Sequence, residues 1–258
     1  MDREIFQKLR DVERQHDVQI INARIRGSRM LGADHEDSDW DVMFLFCQEP
    51  HKYATMYGRI DSIDMPHLGE NENIDLSGWN VDKFGELLAD SNPNAIEYCR
   101  PDPKEYIRAP NSVSEEFNEM AENARRCFNH MSLYHHYISM AKSNWKKYID
   151  SGKDCTKGRQ FYVARSVGMA QGIRKGGEMP PLDARELADY EPLNSDLRRV
   201  IAKLTEAKRA GHGEDENTDI VGPLYSAESE TEMEPTDERI AEPRPDLIDS
   251  FIRSAVEQ

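Results

Sequence analysis

Arg26-Gly27-Ser28-Arg29-Met30-Leu31-Gly32 is followed, after a short polar loop, by Ser38-Asp39-Trp40-Asp41-Val42-Met43-Phe44-Leu45-Phe46. The second stretch reads as a strand, a short apolar run bounded by turn-prone residues. Side chains two apart on a strand face the same way, so Asp39 and Asp41 project together while Trp40 points to the opposite face. Two such carboxylates repel unless a cation sits between them, and Mg²⁺ is held by one or two carboxylates plus substrate phosphates. The first stretch supplies a place for the phosphates. Val18 to Arg26 reads as a strand arriving at a turn, Gly27 has no Cβ to hold a ligand away, and Gly32 ends the turn. Ser28 offers a hydroxyl and opens a helical turn whose free N–H groups favour an anion, though it also suits an ordinary helix cap.

A third acid, Asp75, stands in Asn73-Ile74-Asp75-Leu76, flanked by apolar residues as on a strand; Asp61 and Asp64 are alternatives. The order Gly-Ser, Asp-x-Asp, apolar-acid-apolar resembles the nucleotidyltransferase superfamily that includes DNA polymerase beta, poly(A) polymerases and CCA-adding enzymes. Asp75-Leu76-Ser77-Gly78-Trp79-Asn80-Val81-Asp82-Lys83-Phe84 and Ser91-Asn92-Pro93-Asn94-Ala95-Ile96-Glu97-Tyr98 resemble one branch, the RNA repair pathway DNA polymerase beta family. His136 to Ala141 and Tyr162 to Arg165 are similar to its helical second half, so the resemblance spans roughly residues 15 to 190. In that branch a Gly-Trp follows the third acid, which favours Asp75. Two positions depart from the pattern: Arg26 stands where an aromatic residue is frequent, and Asn80 where an acid is frequent.

The resemblance implies an α+β fold, a polymerase-beta-like nucleotidyltransferase sheet flanked by helices, followed by an all-helical domain and an acidic tail. It implies an enzyme that transfers a nucleoside monophosphate from a nucleoside triphosphate to an acceptor hydroxyl, with an RNA (tRNA) 3′ end ranked first. Transfer to a protein hydroxyl, of the AMPylation type, is the second reading, and a non-catalytic nucleotide-binding regulatory module the third. Asp39, Asp41 and Asp75 are then the catalytic acids and the ligands of two Mg²⁺ ions, with Mn²⁺ as the substitute. Asp75 also serves to take the proton of the hydroxyl. Gly27, Ser28 and Arg29 are implied to bind the nucleotide, joined by Lys157 and Arg165 from the helical half.

The chain has 258 residues, enough for one large or two small domains, and a net charge of −16. So acidic a protein repels nucleic acid at long range. Either much of the acid sits in a solvated tail, the favoured reading, or the source is a high-salt cell. No apolar run nears the roughly eighteen residues that span a bilayer, and the charged start is no signal peptide. Cys47, Cys99, Cys127 and Cys155 are widely separated, which suggests neither a zinc knuckle nor a disulfide framework and makes a reducing cytoplasm the default.

Strand signals and all candidate metal ligands fall in residues 1–110, and helical text fills 111–210. A helix is expected to start near Ser112 or Ser114, others to cover 130–150, Thr156 to Arg174 and Ser195 to Ala210. Residues 211–258 turn acidic and Pro-rich, which predicts a disordered tail with a short docking helix at Leu247 to Ile252. Between Lys142 and Lys175 nine basic residues face two acids, Asp150 and Asp154, and could serve a triphosphate or an RNA end. His130, His135 and His136 lack a metal-ligand spacing and read as core or surface residues. Trp79 and Trp145 read as core; Tyr162 suits packing and base stacking equally.

Overall fold

The computed structural model describes residues 1–55, 57–70, 72–100, 105–107, 111–176, 178–211, 219–230 and 244–257. They divide into two compact units. The first contains α1 (Asp2–His16), β1 (Gln19–Ile25), α2 (Gly27–Met30), β2 (Trp40–Cys47), α3 (Pro50–Tyr53), β3 (Ser62–Leu68), β4 (Ile74–Asn80), α4 (Val81–Ala89), α5 (Pro93–Tyr98), β5 (Glu105–Ile107) and α6 (Asn111–Cys127). The second holds Leu31–Asp37, α7 (His130–Asn144) with a π-helical end (Trp145–Asp150), α8 (Lys157–Gly176), α9 (Ala184–Asp189), α10 (Ser195–Arg209) and α11 (Gly222–Ser229). The last helix, α12 (Pro245–Val256), returns to the first unit.

The first unit is a mixed sheet with helices on both faces, the α+β arrangement expected. Its five strands run in the order β3-β4-β2-β1-β5. β2 lies antiparallel to β1 and parallel to β4; β3 is antiparallel to β4. One face is apolar because alternate residues make it so: Ile25, Val42, Phe44, Phe46, Ile74 and Leu76 pack with Ile5, Leu9 and Val12 of α1. Those three sit at i, i+4 and i+7, one stripe of the helix. Gly78 is register partner of Phe44, whose ring lies where a Cβ would be, so the Gly-Trp pair makes room for an aromatic.

Trp79 points to the other face and starts a chain of rings. It stacks near Phe84 (6.3 Å between centroids), Phe84 meets Phe117 (6.4 Å), and Phe117 meets Phe251 of α12 (5.5 Å). Gly85 of α4 leaves space for Ile248 and Ile252 of the same last helix. Burying side chains of this size stabilises by about 1.5–3 kcal/mol each.

In the second unit α8 is central, with 13 of its 20 residues buried. Gly168 and Gly172 admit Ile201 and Pro180 to its surface. The contacts depart from a division at 110 and 210. α6 belongs with the sheet, because Phe117 joins the aromatic chain, and α11 is an ordered helix within 211–258, while α12 spans the docking helix expected at Leu247 to Ile252. Local composition hid α11, which rests on long-range partners. Glu228 is buried and accepts from Arg174 (2.7 and 2.9 Å) and Gln171 (2.8 Å), and Trp145 donates to Asp219 (2.8 Å). The rest of the expected tail, 212–218 and 231–243, lies outside the described residues.

Candidate active site

The site forms where β1 ends beside the start of β2. Arg26 donates its backbone N–H to the Asp41 carbonyl (2.7 Å), tying the two strands at this point. The chain then turns sharply. Gly27 has φ of 62°, a left-handed conformation that favours glycine, and the Asp41 carboxylate occupies the place its Cβ would fill. Glycine is thus required twice, by the backbone and by the acid lying over it. Ser28 is buried within the single turn of α2.

Asp41 and Asp75 are register partners in the parallel β2–β4 pair. Neighbouring strands lie about 4.8 Å apart, so the two carboxylates rise side by side from one face. With Gly27 they line a cleft of about 380 Å³, whose other walls include Arg26, Asp64, Pro66 and Ser77. Asp64 comes from β3, where it pairs with Ser77. Asp75 Oδ1 accepts from the backbone N–H of His67 (2.7 Å), which fixes the carboxylate.

The remaining expected residues are distributed differently. Asp39 precedes β2, is exposed and is not among the residues lining the cleft. Arg29 turns to the protein itself: it donates to the carbonyls of Ser38 (2.6 Å) and Asp39 (3.2 Å), and its guanidinium lies 3.9 Å from the Trp40 ring. That clamp holds the approach to β2 against the Gly-Ser turn. Lys157 and Arg165 lie on α8 of the second unit, where Arg165 is buried. Of the nine basic residues, Arg174 is committed to Glu228, and Arg159 to Asp154 (2.9 Å). Arg26 and the His67 N–H were not expected in these roles, whereas Asp64, an alternative third acid in the sequence, lines the cleft together with Asp75. The alternation Ser62-Ile63-Asp64-Met65 was the available signal for β3, obscured by Pro66.

Among the described residues no three His, Cys, Asp or Glu side chains gather as a metal-binding group. The donor set still suits a hard cation: strand register brings two carboxylates together, and Asp64 lines the same cleft. Such a pair fits Mg²⁺ that takes its remaining ligands from substrate phosphates and water. Asp41 and Asp75 would hold it; Asp39 stands one residue before β2 and outside the cleft's lining.

A family model described as the RNA repair pathway DNA polymerase beta family matches residues 1–253. The chain is 30% identical over 244 residues to the uncharacterized protein YcgL of Bacillus subtilis (strain 168), covering 94% of this chain and 90% of that protein. The crystal structure of a nucleotidyltransferase-like protein from Exiguobacterium sibiricum 255-15 aligns with 86% of this chain and 75% of its own, at 11% identity and a TM-score of 0.32. Among the described residues no helix is long and apolar enough to cross a membrane. The match over nearly the whole chain decides the assignment: the protein belongs to the RNA repair pathway DNA polymerase beta family and is a nucleotidyltransferase.

Proposed function

We propose that this nucleotidyltransferase moves a nucleoside monophosphate from a nucleoside triphosphate to the 3′ hydroxyl of an RNA, forming the ester at the α phosphorus and releasing pyrophosphate, with a damaged transfer RNA as the leading acceptor. The observation that carries the proposal is the register pairing of Asp41 with Asp75 beside Gly27. The family description, which names RNA repair, supports the choice of acceptor.

In this reading the β and γ phosphates lie against Gly27 and Ser28, where the missing Cβ allows close approach. Asp41 and Asp75 keep the cleft negative until the substrate arrives, and Asp39 completes the acidic edge. Mg²⁺, when bound by these acids, supplies Lewis-acid neutralisation of the phosphate charge. Asp75, fixed by the His67 N–H, is the group that accepts the acceptor hydroxyl's proton. The chain's share of the work is positioning and charge placement, and no covalent enzyme intermediate is needed.

The test is to incubate the full chain with each α-labelled nucleoside triphosphate, Mg²⁺ and total RNA, then separate the products. Label in RNA supports the proposal. Label in the protein transfers the reading to protein modification, and label in neither contradicts both.

A further inference from the structure

β1 and the residue that follows it bring two arginines, Arg24 and Arg26, to the face that carries the acids, and their surroundings differ. Arg24 is 5% exposed, donates to the carbonyls of Tyr98 and Arg100 (both 2.9 Å), and packs on the rings of Tyr98 and Phe117. It is a structural arginine. Arg26 is half-buried and lines the cleft with Asp41 and Asp75. Its guanidinium donates to Met43 Sδ and Asn94 Oδ1, both at 2.9 Å. A thioether is a weak acceptor, and neither group carries charge.

Asn94 is held firmly for this contact. Ser91 stands in a left-handed conformation (φ 55°), Asn92 caps α5, and the Asn92 side chain accepts the N–H of Asn94 (3.0 Å). The Ser-Asn-Pro-Asn segment therefore presents one amide oxygen to one arginine. A guanidinium aimed by a neutral partner keeps its full charge for a ligand, whereas a carboxylate partner would cancel it.

Resting on the reading of the cleft as a nucleotidyltransferase site, we propose that Arg26 binds a phosphate group of the incoming nucleoside triphosphate and that Asn94 is its positioning residue. This places one fixed positive charge among the acids, on the strand end that leads into Gly27. It also gives the departure at position 26 a chemical purpose, since an aromatic residue there could offer no charge-assisted hydrogen bond.

The test uses inorganic tripolyphosphate with Mg²⁺ as a base-free probe, titrated calorimetrically into the full chain, with a short single-stranded RNA titrated in parallel. Arg26→Met should weaken tripolyphosphate binding about 10- to 100-fold at unchanged Tm and leave RNA binding unaltered. Arg26→Lys should restore part of the loss. Asn94→Asp should also weaken the probe, because its carboxylate would pair with Arg26, a change that a merely structural contact would not produce. Undiminished tripolyphosphate affinity in Arg26→Met, or a loss confined to RNA, overturns the inference and leaves the cleft's reading standing. A wild-type chain that binds no tripolyphosphate overturns both.

Discussion

His67 gives its backbone N–H to Asp75 Oδ1 at 2.7 Å while held in a left-handed conformation, φ 59°. A non-glycine residue there is strained by about 1–2 kcal/mol. The contact occurs where the β3–β4 pairing shifts register between Met65 and Leu68. The strain thus sits at the residue that orients the acid.

His67→Gly keeps the N–H and relaxes the backbone. We expect activity within a few-fold of the parent and stability raised by up to about 1 kcal/mol. His67→Pro removes the donor and the permitted φ together, and should lower kcat with Asp75 unchanged. Equal activity of the two variants would show that this hydrogen bond does not matter.

Gly27→Ala forces a Cβ into the Asp41 carboxylate at a φ of 62°. The expected outcome is loss of nucleotide incorporation with a stability decrease of about 1–2 kcal/mol, measured by urea unfolding beside a labelled-nucleotide assay. A fully active Gly27→Ala chain would mean that Asp41 lies elsewhere during turnover.

Glu228 is 3% exposed and carries the charge partner of Arg174. Glu228→Ala should destabilise by about 3–5 kcal/mol, because Arg174 keeps its charge in a partly buried setting. Calorimetry reads this directly, and a shift below about 0.5 kcal/mol would show that α11 adds nothing to the second unit.

The pattern of success in the sequence follows the range of the interactions. The turn at Gly27 and the strand positions of Asp41 and Asp75 were legible because turn chemistry and strand alternation are local. The parallel pairing that puts Asp41 opposite Asp75 is long-range and emerged only in the fold. Asn80 shows the same limit. It is fully buried, accepting from Tyr53 Oη (2.7 Å) and donating to the Ile60 carbonyl (2.9 Å), a pair of bonds that an ionised carboxylate could not make. Glu228 was lost in acidic text because its partner lies 54 residues earlier. The donation of Arg29 to the Ser38 and Asp39 carbonyls, nine and ten residues on, was likewise not visible in the sequence.

Burial pushes the Cys99 thiol up to about 12 and the Cys47 thiol up to about 11, from an ordinary 9.0. The folded state therefore keeps protons that the unfolded chain releases above about pH 9, so stability falls as pH rises from 9 toward 12. Urea midpoints measured between pH 8 and 11 should decline, and Cys47→Ser with Cys99→Ala should flatten the decline. An unchanged slope in the double variant would exclude these thiols as the cause.

The most direct measurement is incorporation of labelled nucleotide by Asp41→Asn and Asp75→Asn chains in saturating Mg²⁺. Asparagine keeps the shape and, at 75, an oxygen for the His67 N–H, while removing the charge. The account predicts that each substitution lowers turnover by at least about 100- to 1,000-fold, with Tm held or raised as repulsion between the acids is relieved. Turnover at the parental rate in either folded variant would contradict it.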